Sequence, residues 1–75
     1  MTRLPALSYL EIIRALRKRG FLVVRQRGGH IRLQKETAEG PIKLTLPAHK
    51  PVKRGPLRRV IRDAGLTVDE FLGLL

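Results

Sequence analysis

Apolar residues near the start of the chain recur with the spacing of an amphipathic helix. Four of them lie at i, i+3, i+4 and i+7 and make one stripe: Tyr9, Ile12, Ile13 and Leu16. Ser8 followed by Glu11 is a capping box, which satisfies free N–H groups at a helix start. Gly20 suits a helix end in the left-handed conformation. The pattern predicts a first helix over residues 9–19.

The middle of the chain changes to a period of two, which is typical of strands. Residues 21–27 and 30–35 are two β-prone runs separated by Gly28-Gly29. A glycine pair in that position signals a two-residue hairpin loop, because such loops need positive φ. A polar turn over residues 36–41 then leads to a half-buried third strand over residues 42–46, which Pro47 ends.

The length of the hairpin loop predicts which side chains share a face. Two loop residues place His30 at the start of the second strand, opposite Arg27. Alternation then puts His30 and Arg32 on one face and Ile31 and Leu33 on the other.

The same register sets Val24 opposite Leu33, with both facing the core. It turns Phe21 and Val23 to the outer face, beside Arg25. Exposed Phe and Val are unfavourable. The pattern therefore leaves two alternatives: a wider loop that flips the faces, or a partner that covers the patch.

The last third of the chain predicts two more helices. Residues 57–64 carry an apolar stripe, for which Pro56 suits the first helical position and Gly65 the end. Thr67 with Glu70 is a second capping box, and it opens a short final helix.

The order of elements predicts an α+β fold. Short links make the three strands an antiparallel sheet. Both main helices pack on its one apolar face, leaving the other face open, and a short helix follows at the C-terminus. This α-β-β-β-α arrangement resembles the double-stranded RNA-binding domain. With 75 residues, we expect residues 1–75 to form one domain.

The charge balance points to a polyanionic partner. Sixteen Lys and Arg face six Asp and Glu, a net charge of +10. Nucleic acid is the first candidate, and an acidic protein or an anionic membrane are alternatives. Aromatic residues make up 4% of the chain, which argues against a reader of single strands that stacks many bases.

Other features of the composition point to the cytoplasm. The absence of cysteine excludes disulfides and thiolate metal sites and fits a reducing compartment. No apolar run approaches the roughly 20 residues of a membrane span, and no signal peptide is evident. We therefore expect a soluble cytoplasmic protein with no membrane partner.

His30 is the candidate for chemistry. An imidazole held on a sheet among Arg25, Arg27 and Arg32 could bind beside a phosphodiester and transfer protons there. The alternative is an exposed surface histidine without a role. His49 is the only other histidine, and it is either a proton donor to a leaving group or a turn residue.

A second basic region follows the third strand. Its cations form either a phosphate track that positions RNA or a solvated helix face. The region contains six cations, Lys50, Lys53, Arg54, Arg58, Arg59 and Arg62, and the first four are those we propose as RNA-binding. Two histidines and scattered carboxylates make a poor metal-ligand set, so we expect no metal and no other cofactor.

Five segments, in order, resemble the HicA toxins, the small ribonucleases of toxin–antitoxin pairs. They are Leu16-Arg17-Lys18-Arg19-Gly20-Phe21, Arg25-Gln26-Arg27-Gly28-Gly29-His30, Leu46-Pro47-Ala48-His49, Gly55-Pro56-Leu57-Arg58 and Ala64-Gly65-Leu66. Two positions depart from the family. Gly29 stands where a serine is usual, and Pro56 stands where a threonine is common.

The resemblance implies an endoribonuclease that cleaves mRNA and arrests translation, with His30 as the catalytic residue. It also implies an acidic HicB antitoxin that covers the active face, for which an outward Phe21 and Val23 would be contacts. Two other functions stay open: a non-catalytic double-stranded RNA-binding module, and an adaptor for an acidic protein.

Overall fold

The computed structural model describes residues 3–75, and its elements follow the predicted order. They are α1 (Tyr9–Arg17), β1 (Leu22–Arg27), β2 (His30–Thr37), β3 (Gly40–Pro47), α2 (Arg54–Asp63) and α3 (Val68–Leu72). The predicted α+β class is confirmed. The strands are longer than predicted at the β2–β3 turn, where pairing continues to Thr37 and Gly40.

The three strands form one antiparallel sheet in the order β1-β2-β3. Ile31 pairs with Leu46, and Leu33 pairs with Leu44. These four side chains are buried in the same core cluster as the apolar stripes of α1 and α2. Both main helices therefore cover one face of the sheet, as predicted, and the alternate side chains of β2 and β3 are left on an open face.

Both predicted capping boxes are present. The Ser8 hydroxyl accepts a hydrogen bond from the Glu11 backbone N–H at 3.4 Å, and Glu11 Oε1 accepts from the Ser8 N–H at 3.1 Å. Thr67 and Glu70 make the same pair of bonds at 3.1 and 2.9 Å. These bonds supply acceptors for N–H groups that have no partner inside the helix.

The start of α2 differs from the prediction. The helix begins at Arg54, so Pro56 is its third residue and not its first. The first backbone bond of the helix runs from Leu57 N–H to the Lys53 carbonyl at 3.0 Å. Proline is tolerated at the third position because the earliest N–H groups of a helix lack intrahelical partners in any case.

The predicted register near the start of β1 is wrong. The ladder is interrupted between Val23 and Arg25, so Val23 and not Val24 pairs with Leu33. The extra residue is a β-bulge, which shifts the pairing by one position without widening the two-residue loop. Arg25 still pairs with Arg32, so the expected grouping of these two arginines is confirmed.

Phe21 was predicted to face outward and is instead buried, with 1% of its surface exposed. It precedes β1, and its N–H donates to the Leu16 carbonyl at 3.2 Å, which folds it back beneath the end of α1. All six residues of β1 are exposed. Its apolar residues Leu22, Val23 and Val24 are therefore open to solvent.

Within residues 3–75, no helix has the length and apolar character needed to cross a bilayer.

Candidate functional site on the open face of the sheet

The glycine hairpin positions His30. Gly28 has a φ of +58°, whereas Gly29 is outside the positive region, which is the φ pattern of a type II′ turn. The Gly29 carbonyl accepts a hydrogen bond from the Ala48 N–H at 2.8 Å. The loop is thereby tied to the segment after β3, and His30 follows it as the first residue of β2.

Two rows of paired residues cross the open face. In one row, His30 lies between Arg27 on β1 and Pro47 on β3. In the next, Arg32 pairs with Arg25 on one side and with Thr45 on the other. Because directly paired residues share a face, these side chains are brought together.

The first of two grooves on this face lies between β1 and β3 and has a volume of about 220 Å³. We call it the arginine groove. It is lined by Arg25, Arg27, His30, Ile31, Arg32 and Thr45. The lining contains three guanidinium groups and no carboxylate, so the groove attracts anions.

The second groove lies between β3 and α2 and has a volume of about 320 Å³. We call it the helix groove. It is lined by His30, Lys43, Thr45, Pro47, Pro56, Arg59 and Asp63. His30 and Thr45 line both grooves, so His30 lies on the border between them.

The structure separates the predicted RNA-binding residues into two groups. Arg25, Arg27 and Arg32 line a groove together with His30. The other four, from the basic loop and α2, line neither groove: Lys50, Lys53, Arg54 and Arg58. The ammonium group of Lys50 instead lies 5.6 Å from the centre of the Tyr9 ring, at the start of α1.

His49 also lines neither groove. Its side chain is exposed, and its backbone carbonyl accepts a hydrogen bond from the Tyr9 N–H at 3.1 Å. That backbone bond holds the loop after β3 against the start of α1.

Two groove residues were not singled out from the sequence: Lys43 and Thr45. A signal for them existed, because they alternate with the buried Leu44 and Leu46 along β3. Arg59 belongs to the basic stretch that the sequence indicated, but which of its cations lines a groove depends on the side of α2 that turns toward the sheet, and only packing decides that.

Within residues 3–75, no three His, Cys, Asp or Glu side chains lie close enough together to hold a metal ion. What the open face offers is one exposed imidazole beside several fixed cations. This combination can bind a phosphodiester and move a proton.

Two comparisons with known proteins bear on the family of this chain. A search of curated proteins found no match. The family model for the HicA toxin of bacterial toxin–antitoxin systems matches residues 10–66. This span runs from α1 through α2 and includes every residue that lines the two grooves. Because the match covers well over half of the chain, the protein belongs to the HicA toxin family.

Proposed function

We propose that this toxin is a metal-independent endoribonuclease that cleaves mRNA in the cytoplasm and so arrests translation. Residues 1–75 form its toxin domain, and His30 is its catalytic acid and base. The observation that carries the proposal is the position of one exposed imidazole between two grooves, with three arginines beside it.

The reaction we propose is an internal transesterification. The neutral His30 imidazole takes the proton of a ribose 2′-hydroxyl, and the resulting 2′-oxygen attacks the adjacent phosphorus. The new O2′–P bond forms as the P–O5′ bond breaks, and the leaving 5′-oxygen takes a proton from water or from the imidazolium. The products are a 2′,3′-cyclic phosphate and a free 5′-hydroxyl.

The arginine groove provides the electrostatic part of this reaction. Negative charge on the phosphoryl oxygens increases as the phosphorus becomes five-coordinate, and fixed guanidinium groups stabilise it. Arg27 is directly paired with His30, and Arg32 lies in the next row of paired residues. Acid–base assistance from one group contributes roughly 10²–10⁴-fold, so we expect a slow enzyme.

Membership of the family implies an antitoxin partner. We propose an acidic, HicB-like protein that covers the open face. A net charge of +10 favours association with an acidic chain. The exposed apolar side chains of β1 lie beside the arginine groove. They offer an apolar surface to a protein partner, whereas RNA binding does not require one.

Substitution of His30 tests the ribonuclease. We expect parent protein to cleave single-stranded RNA in the presence of chelator, with cyclic phosphate ends detected by mass spectrometry. The His30→Ala variant binds the same RNA but does not cleave it. His49→Ala is the matched control and cleaves within about threefold of the parent, since removing a side chain outside the site costs little.

Two results would count against the proposal. Equal cleavage by the parent and by His30→Ala would remove His30 from the mechanism. Binding without cleavage by the parent would instead favour the non-catalytic RNA-binding module.

A further inference from the structure

We infer that the helix groove holds the RNA on one side of the cleaved bond, with Lys43 and Arg59 binding the neighbouring phosphate. This inference rests on the proposed ribonuclease function and adds a second binding region to it. It makes the substrate path run across the sheet, from the arginine groove over His30 to α2.

The first support is the shape of the open face. An internal phosphodiester has nucleotides on both sides, so a strand bound at His30 must leave the site in two directions. His30 and Thr45 line both grooves, so the two grooves are adjacent at these residues. The arginine groove accepts one direction and the helix groove the other.

The second support is the charge and lining of the helix groove. Lys43 projects from β3 on the open face, and Arg59 projects from α2 on the opposite side of the groove. The Arg59 side chain is 76% exposed and therefore accessible to a phosphate. Pro47 and Pro56 add rigid apolar surface between these cations, which suits the sugar or base between two phosphates.

Asp63 marks the far limit of this path. Its carboxylate lies 4.0 Å from Arg59 Nε and 3.7 Å from Arg62 Nε. The carboxylate repels any further phosphate. Its contact with Arg59 is a weak surface ion pair at 4.0 Å and leaves the other nitrogens of the guanidinium accessible.

The geometry of α2 distinguishes Arg59 from its neighbour Arg58. Pro56, Arg59 and Asp63 lie at i, i+3 and i+7, on the side of the helix that faces the groove. Arg58 is one residue from Arg59 but is rotated about 100° around the helix. Both are exposed and carry the same charge, so the two positions form a matched pair.

The test is a binding experiment that does not depend on cleavage. A short single-stranded RNA carries one 2′-deoxynucleotide at the cut site, or at each position in turn if no cut is found. Its phosphates are replaced one at a time by neutral methylphosphonates. The dissociation constant of each is measured for the parent, Arg59→Ala and Arg58→Ala, after circular dichroism confirms that both variants are folded.

We expect a marked effect at one of the two phosphates that flank the cleaved one. Its replacement by a methylphosphonate weakens binding by the parent about three- to tenfold. In Arg59→Ala the same replacement weakens binding less than it does in the parent, because only Lys43 is left to contact that phosphate. Arg58→Ala retains the pattern of the parent. Asp63→Asn binds the unmodified RNA more tightly than the parent, because it removes the repelling charge.

Equal effects of Arg58→Ala and Arg59→Ala at every phosphate would overturn the inference, because the cations would then act as a diffuse field. That result would leave the proposal that His30 cleaves RNA unchanged. A parent that never cleaves RNA, but shows the Arg59-specific coupling, would remove the ribonuclease proposal and retain the binding path.

Discussion

At the scale of single residues, Gly28 and Gly29 form one loop but are under different constraints. The φ of Gly28 is +58°, in the left-handed region that favours glycine. Gly29 lies outside that region, and a β-carbon there would meet no heavy atom within 4 Å. The conformation of the hairpin therefore depends on Gly28, whereas the residue directly before His30 is free to vary.

This difference predicts that substitution of the first glycine destabilises the protein and that substitution of the second does not. We expect Gly28→Ala to destabilise the protein by about 1–2 kcal/mol, the strain of a side chain in the left-handed region. Each kcal/mol lowers the melting temperature by about 4–8 °C in a domain of this size. We expect Gly29→Ser to stay within about 0.5 kcal/mol of the parent.

Thermal unfolding followed by circular dichroism measures both effects. If Gly29→Ser were as destabilising as Gly28→Ala, the loop would have a different conformation from the one described. Cleavage assays on Gly29→Ser would then show what a hydroxyl beside His30 contributes.

At the scale of elements, polar contacts attach α3 and the residues after it to the end of α1, and Phe71 is buried in the core. Glu70 completes the cap of α3, and its Oε2 lies 3.5 Å from the Arg19 guanidinium. The Lys18 ammonium donates to the Leu74 carbonyl at 2.8 Å. These contacts give a five-residue helix a defined position, since so short a helix is not stable alone.

The cap makes stability depend on pH. The hydrogen bond from the Thr67 backbone, then that from its side chain and the nearby Arg19 charge, hold the pKa of Glu70 below its usual value. A carboxylate with a lowered pKa in the folded state stabilises the fold at pH values above its unfolded pKa, near 4.5. This contribution is lost as the pH falls through the lower, folded value.

We expect Glu70→Gln to melt at a lower temperature than the parent at pH 7, because the substitution removes a charge but retains an acceptor for the Thr67 N–H. The difference should shrink as the pH falls below about 4.5. Melting curves from pH 7 to pH 3 measure it. A difference that is constant across this range would show that the charge of Glu70 does not contribute.

At the scale of the whole molecule, two surfaces lie side by side. The open face of the sheet presents cations around His30, and β1 presents exposed apolar side chains at the edge of the sheet. Exposed apolar residues on a free edge are typical of a protein-binding surface. Under the proposed function, RNA binding and antitoxin binding use neighbouring but separable residues.

That separation is testable with a double substitution in β1. We expect Val23→Thr combined with Val24→Thr to weaken the complex with the proposed acidic antitoxin, measured by calorimetry. RNA cleavage by the variant stays within about threefold of the parent, because surface replacements of similar shape disturb the fold little. Unchanged antitoxin affinity would show that the partner does not use this edge.

Local patterns were sufficient for most of the fold. Helical stripes, two capping boxes and one glycine pair depend on residues close in sequence, so they predicted the element order, the hairpin and the face that His30 shares with Arg32. The bulge at Val24 was missed, because nothing local distinguishes a shifted register from a regular one. The burial of Phe21 was missed for a related reason, since the end of α1 had to pack over it.

The sequence by itself determined that a lone histidine follows a tight loop on a basic sheet, since loop length and alternation depend on adjacent residues. Only the tertiary structure decided which cations lie near that histidine. Arg59 lines a groove with it, whereas Arg54 and Arg58 do not. The direction in which a helix turns its polar sides is set by how its apolar stripe packs across the sheet.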